Sequence, residues 1–408
     1  MSNQPFATTR RSFLVASGLT ALASARAFGA NDTLRVGVIG AGQRMDTLLN
    51  CAEKSGPHEI VAVADPYKPH REEVLKREPA AGAILHIDYR EVLDNHSIDT
   101  VFIATPDHWH VRIAADALAA GKDVYLEKPV THTIEEGETL RKAVRSSKQI
   151  LQCGMQQRSW IHFRDAARMI RAGEIGRVLQ VRTYWWQNYQ RASAPGSART
   201  GSFNMADLDW KQWLGSAPDQ PFNEDRFYRW RWYWNFGGGA MTDLFTHWID
   251  VVHMTLGSDS PSHVFMLGDK YHFQEWDCPD TVQAALRYPA PSAAEPATIA
   301  QPSPFDVVYE GMMASSIDDG GLEFRGTDAT LKINRSGMSL FREGVHGDIN
   351  PVLTERSTGD GTVTHMQNFF ECVRSRKEPN APVEAGISAA HASHLCNQAY
   401  HGNGQWSQ

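Results

Sequence analysis

One nine-residue stretch, Leu34-Arg35-Val36-Gly37-Val38-Ile39-Gly40-Ala41-Gly42, limits what this chain can fold into more than any other. A short apolar run ending in a glycine turn has the character of a strand buried on both faces of a parallel sheet. The turn at Gly40 and Gly42 lets the backbone approach a pyrophosphate seated on the N-terminus of the next helix, which brings Gln43 and Arg44 to the same ligand. Met45 stands where a third fingerprint glycine would fall, so helix and strand must pack differently there. Asp65 ends the next apolar run, 25 residues after Gly40. A carboxylate at that point accepts hydrogen bonds from the adenosine ribose and repels a 2′-phosphate. The expected cofactor is NAD, with Lys68 and Arg71 nearby keeping NADP open.

Residues 31–155 alternate short apolar runs with amphipathic stretches. The runs are Leu34–Ile39, Ile60–Ala64, Thr100–Ala104, Asp123–Leu126 and Ile150–Cys153; helical patterns include Val111–Ala120 and Ile134–Ser147. Such alternation predicts an N-terminal Rossmann domain with a parallel sheet. Residues 156–408 read as a second α/β domain. It opens with a helix over Phe163–Ile175 and a strand over Val178–Gln187, followed by a long ordered loop over 188–237 and a helix over Gly239–Leu256. Strands without intervening helices follow at His263–Tyr271, Thr281–Tyr288, Phe305–Tyr309, Leu322–Arg325 and Thr330–Asn334, which predicts a large antiparallel or mixed sheet. Residues 289–304 read as a surface loop, and helices over Val363–Arg376 and Gly386–Tyr400 close the chain.

Ahead of the first strand stand Thr9-Arg10-Arg11-Ser12-Phe13-Leu14, an apolar run from Leu14 to about Ala27, and the small-residue site Ala25-Arg26-Ala27. Together they read as a twin-arginine signal over residues 1–30. The expectation is a periplasmic or secreted protein, without membrane association once the signal is cleaved. A cofactor enzyme sent away from the cytoplasmic cofactor pool must hold its cofactor tightly or use it without net consumption. The net charge of −7, with no long basic run, argues against nucleic acid as a main partner. The five cysteines are scattered, with no Cys-x-x-Cys pair, and read as buried thiols.

Two further motifs sharpen the reading: Ala104-Thr105-Pro106-Asp107-His108-Trp109-His110, and Glu127-Lys128-Pro129 at a strand end. A third is Gly237-Gly238-Gly239-Ala240-Met241-Thr242-Asp243-Leu244-Phe245-Thr246-His247. With Gly40-Ala41-Gly42 ahead of them, these resemble the glucose–fructose oxidoreductase, inositol dehydrogenase and rhizopine-catabolism (Gfo/Idh/MocA) family over nearly the whole mature chain. The resemblance implies a Rossmann domain joined to an α/β domain with a large open, mostly antiparallel sheet. It also implies a nicotinamide cofactor, a sugar or cyclitol substrate, and a homodimer or homotetramer built through that sheet. The chain also looks like the family 109 glycoside hydrolases, whose chemistry is redox-neutral: oxidation, elimination, hydration and reduction.

Asp243 and His247 are four residues apart and, on a helix, share a face that Asp250 extends. Oxidising an alcohol needs a base for the hydroxyl proton, and His247 is the candidate. The resemblance makes Lys128 the partner that hydrogen-bonds the same hydroxyl, with Asp243 binding a neighbouring one or orienting the site. It also puts Thr105, Pro106, His108, His110 and Glu127 beside the cofactor. The His-x-His pair His108 and His110, with Asp107 just before it, has metal-ligand chemistry, but no metal is assigned. Gln157 and Arg158, after the strand that ends the first domain, are candidates for the substrate cleft. Eight of the 12 tryptophans fall between Trp185 and Trp248, too dense for one small core. Trp185 and Tyr233 from that cluster are candidates to line a carbohydrate site. A non-catalytic carbohydrate-binding protein is the reading from another class.

Overall fold

A computed structural model describes residues 33–190, 203–290, 299–344, 350–402 and 405–407. The twin-arginine segment lies outside them. The first sheet has six parallel strands: β1 (Leu34–Ile39), β2 (His58–Ala64), β3 (Ile84–His86), β4 (Thr100–Ile103), β5 (Asp123–Leu126) and β6 (Leu151–Cys153). Their order is β3-β2-β1-β4-β5-β6, so the order reverses between β1 and β4. β1, β4 and β5 are almost wholly buried, as their unbroken apolar runs require. Strand β3 escaped the sequence reading because it is three residues long and its first residue, Ile84, is exposed.

The second sheet contains β7 (Val178–Trp186), β8 (His263–Asp269), β9 (Thr281–Tyr288), β10 (Phe305–Met312), β11 (Gly320–Gly326), β12 (Ala329–Asn334), β13 (Gly337–Arg342), β14 (Leu353–Arg356) and β15 (Gln405–Ser407). Nine strands run in the order β14-β13-β12-β11-β7-β10-β9-β8-β15. Among its described strands, only the β7–β10 pair is parallel. Along β9 burial alternates: Val282, Ala284, Leu286 and Tyr288 are buried, while Gln283, Ala285 and Arg287 face out. The inner face carries the helices Ile161–Arg171, Thr246–Leu256 and Val383–His401. The other face is open and carries exposed Phe265 and Leu267 on β8.

Two expectations are corrected. The stretch 188–237 is not a plain loop where it is described: short helices span Trp210–Leu214 and Glu224–Tyr228. Each is capped by its preceding side chain, Asp209 accepting from the Gln212 amide and Asn223 from the Arg226 amide. Five residues are too few to show an apolar period. The helix expected over Gly239–Leu256 winds as a π-helix over Met241–Phe245 before the α-helix Thr246–Leu256 begins. The Thr246 hydroxyl donates back to the Met241 carbonyl at that junction, a turn of the kind often found at functional sites.

The helix Gly361–Ser375, late in the chain, covers one face of the first sheet. Its Met366, Phe369 and Phe370 are fully buried in one cluster with Val36, Val38, Phe102 and Tyr125. Just beyond it, Arg376 donates through both terminal nitrogens to the carboxylate of Asp123, which is 1% exposed at the start of β5. Asp123 also accepts from the Ile150 amide. Replacing Arg376 with Ala leaves that carboxylate buried without its cation, at a cost of about 3–5 kcal/mol. The expected result is a matching loss in denaturant unfolding; a loss under about 1 kcal/mol would show that Asp123 does not depend on the pair.

Candidate active site

The glycine turn lies at the carboxyl end of β1, at the point where strand order reverses. Gly40 has a φ of +79°, and a Cβ there would stand 2.8 Å from the Thr105 backbone nitrogen. Glycine alone lets the turn after β1 lie against the loop after β4. The Ala41 amide donates to Asp65 Oδ2 at 2.7 Å and the Tyr67 amide to Oδ1 at 2.8 Å. Burial works to raise the Asp65 pKa, but His70 and these two amides outweigh it and hold the carboxyl below its ordinary value. Of the basic residues that kept NADP open, Lys68 stands in an exposed pair with Glu72 at 3.7 Å, and Arg71 donates to the Asp65 carbonyl.

A cleft of about 570 Å³ opens from this turn. Gly40, Gly42, Gln43, Arg44, Asp65, Thr105 and Pro106 form one side, and Trp213, Phe227, Tyr228 and Trp230 the other. Two of the eight clustered tryptophans, Trp213 and Trp230, therefore belong to the outer wall of the cleft. Thr105 Oγ1 and Arg44 Nη2 are buried there with no hydrogen-bond partner. Unpaired buried donors of this kind are costly and mark a place for a polar ligand. The space, the glycine turn and Asp65 fit a dinucleotide.

Lys128, Asp243 and His247 do not line the cleft; they stand directly behind one end of it. Arg44 and Arg231 line that end. Arg44 Nε donates to Glu127 Oε1 at 2.7 Å, next in sequence to Lys128, and Arg231 Nε to Asp243 Oδ1 at 3.2 Å. Lys128 Nζ donates to Asp243 Oδ1 and to the Asp243 carbonyl, each at 2.7 Å. Burial opposes ionisation of Asp243, but Lys128 and Arg231 hold its pKa below the ordinary value. His247 is 6% exposed, and its Nδ1 is buried without a hydrogen-bond partner. Burial, reinforced by the positive charges of Lys128, Arg335 and Arg44, drives its pKa well below the usual histidine value. The ring is a neutral base throughout the neutral range.

The remaining candidates fall around this centre in different ways. Trp185 stacks on His247, ring centroids 5.6 Å apart. Arg158 donates to Asp250 Oδ1 at 2.7 Å, while Oδ2 of Asp250 is buried and unbonded. Gln157 is fully buried with neither amide atom bonded. His110 sits beneath the cleft, its two ring nitrogens 2.6 Å from the Pro129 carbonyl and 2.9 Å from the Thr105 carbonyl. Burial brings its pKa down to about 4. His108 is enclosed by Trp213 and Phe236, and burial lowers its pKa to about 3. Tyr233 is 2% exposed, and its hydroxyl donates to Asp225, so it is packed within the wall and not on its surface. Among the described residues, no group of three or more His, Cys, Asp or Glu is placed to hold a metal ion. His70 beside Asp65 and Arg335 beside His247 were not singled out from sequence; each lies in a segment with no motif of its own.

A six-stranded parallel sheet with this cleft at its switch point, joined to a unit with a nine-stranded open sheet whose helices supply a buried carboxylate and imidazole, defines a dinucleotide-dependent oxidoreductase. The chain belongs to the oxidoreductase family whose NAD-binding Rossmann fold matches residues 34–155 and whose C-terminal alpha/beta domain matches residues 201–406. It is 29% identical over 192 residues to the rhizopine catabolism protein MocA of Rhizobium meliloti, covering 45% of this chain and 58% of that protein. It is 26% identical over 346 residues to the NAD(+)-dependent scyllo-inositol 2-dehydrogenase of Bacillus subtilis, covering 82% of this chain and 86% of that one. The fold is shared with levoglucosan dehydrogenase in complex with NADH and L-sorbose: TM-score 0.69, 18% identity, 92% of this chain and 98% of the other covered.

Replacing Gly40 with Val should weaken NAD binding at least tenfold in a calorimetric titration, because the added atoms meet the Thr105 backbone; unchanged affinity would remove the turn from the cofactor site. With His247 as the base, the acidic limb of the rate profile should lie well below pH 6.5, since its neutral form persists as pH falls. A limb at the ordinary histidine value that disappears in His247→Asn would contradict the buried, cation-flanked ring.

Proposed function

We propose that the chain oxidises a ring carbinol of a sugar or glycoside, with NAD held tightly in a compartment outside the cytoplasm. The observation that carries this reading is the pairing of the Lys128 ammonium with Asp243, 2.7 Å apart, behind the cleft and beside a neutral His247. His247 accepts the hydroxyl proton. Lys128 hydrogen-bonds the same oxygen and stabilises the developing alkoxide. Asp243 holds Lys128 in place and offers its second oxygen to a neighbouring hydroxyl. Bound nicotinamide supplies the hydride acceptor. Trp185, stacked on His247, holds the plane of the base and borders the place a sugar ring would take.

NAD is preferred to NADP because Asp65, held ionised at the ribose end, repels a 2′-phosphate. The relatives that act on inositols support a polyhydroxylated substrate. The twin-arginine segment supports export, and export favours a second reading of the same first step: redox-neutral glycoside cleavage, in which hydride taken from the ring is returned to it. The open face of the second sheet, with Phe265 and Leu267 exposed, supports a homodimer or homotetramer.

The purified protein, with no cofactor added, should develop NADH fluorescence when titrated with a panel of sugars and methyl glycosides. Free sugar released without lasting fluorescence would mark the redox-neutral route. Lys128→Met should lower turnover about 100- to 1,000-fold with cofactor still bound. If no sugar changes the signal even with NAD or NADP supplied, the oxidoreductase reading fails.

A further inference from the structure

Three cations bear on His247, and one of them has no counter-ion among the described residues. Lys128 pairs with Asp243 and Arg44 with Glu127, each at 2.7 Å. Arg335, the third, forms no ion pair and no hydrogen bond with any described residue, and its Nε is buried. Asp319 and Asp360 are near enough to act on it electrostatically, yet neither pairs with it. Burial and the positive charge of Arg44 lower its pKa to about 10, which still leaves it charged at neutral pH.

Arg335 is held in place by its surroundings. It occupies the two-residue turn between β12 and β13, where the Ser336 amide donates to Asn334 Oδ1 at 2.8 Å. His162 is bonded to the Asn334 carbonyl at 2.8 Å. The guanidinium lies over Trp185, 4.9 Å from the ring centroid, and 6.0 Å from that of Trp248. Trp185 in turn stacks on His247. An aromatic face engages the flat side of a guanidinium and leaves its N–H edge unused. A fixed, charged and partly desolvated fork without an acceptor is unfavourable unless a ligand completes it.

We propose that Arg335 is the subsite for a carboxylate on the sugar, so that the substrate class is an acidic sugar or its glycoside, held by the carboxylate while a ring hydroxyl meets His247. This rests on the sugar-oxidising reading above. One planar guanidinium edge matches one carboxylate in a paired, two-bond contact. Trp185 contacts both the guanidinium and the base, so the carboxylate and a ring hydroxyl of one sugar unit are the two groups that would address them.

The test is calorimetric titration of the NAD-supplied protein with methyl β-D-glucuronide and with methyl β-D-glucoside, which differ in the carboxylate. The wild type should bind the glucuronide at least tenfold more tightly. Arg335→Met should abolish that preference, and Arg335→Lys should keep part of it, with thermal unfolding of each variant confirming that it is folded. Equal binding of the two probes by the wild type, or a preference that survives in Arg335→Met, would overturn the proposal. Should Arg335→Met fail to fold, the wild-type comparison and Arg335→Lys decide: a preference undiminished by Lys overturns it. The two readings fail separately. Cofactor reduction by neutral sugars alone would sink the carboxylate subsite and keep the oxidoreductase. Arg335-dependent glucuronide binding with no cofactor reduction by any sugar would do the reverse.

Discussion

The site depends on one buried ion pair. Lys128 leaves the end of β5 in the first sheet, and Asp243 comes from the π-helical turn beside the second. Both side chains are mostly withdrawn from water, at 11% and 12% exposed. Either charge alone would be expensive there, and together they fix the distance between the two halves of the chain. The π turn serves this contact. It presents both the carbonyl and the carboxylate of Asp243 to a single ammonium. Arg231 adds a second cation to the same carboxylate oxygen, and it also lines the cofactor cleft. Cofactor cleft and acid–base centre are thereby connected through one carboxylate.

The same charges set the state of the base. A histidine beside three cations and away from water stays neutral, which an acceptor of a hydroxyl proton requires. On the proposed oxidation, the cations would also favour the alkoxide left behind. One arrangement would then serve both partners in the proton transfer, its cost met by the fold and not at the moment of reaction.

Most of the first unit was legible in the sequence. A strand buried on both faces shows as an unbroken apolar run, and the runs at β1, β4 and β5 were found almost to the residue. Glycine turns are legible for a related reason: at Gly40 the positive φ and the nearby Thr105 admit no other residue. The short strands β13 to β15 and the capped five-residue helices were not, because a few residues carry no period. The motif residues Lys128, Asp243 and His247 were legible as chemistry, but the π turn that sets their geometry was not, since it differs from an α-helix only by a one-residue shift in hydrogen-bond register, i to i+5 in place of i to i+4. Arg335 shows the limit most clearly. Nothing in Asn334-Arg335-Ser336 distinguishes it from any hairpin turn; its meaning comes from Trp185 and His247, remote in sequence.

The late segment explains how the two halves stay in register. The helix Gly361–Ser375 completes the core of the first sheet, and Arg376 is tied to Asp123. The next helix, Val383–His401, meets both halves: His394 is 3.1 Å from the Thr131 hydroxyl, just past Lys128, and Asn397 donates to the Gly238 carbonyl, just ahead of Asp243. Sliding one sheet against the other would break each of these buried contacts and expose Phe369 and Phe370. The aromatic wall over the cleft is built differently, from helices of five residues joined by turns. It is tied to the first unit by Trp109 Nε1 donating to the Trp213 carbonyl and by Tyr67 against Phe203 and Phe227. The rim of the cofactor cleft is thus a set of stacked rings, built apart from the buried ion pair behind it.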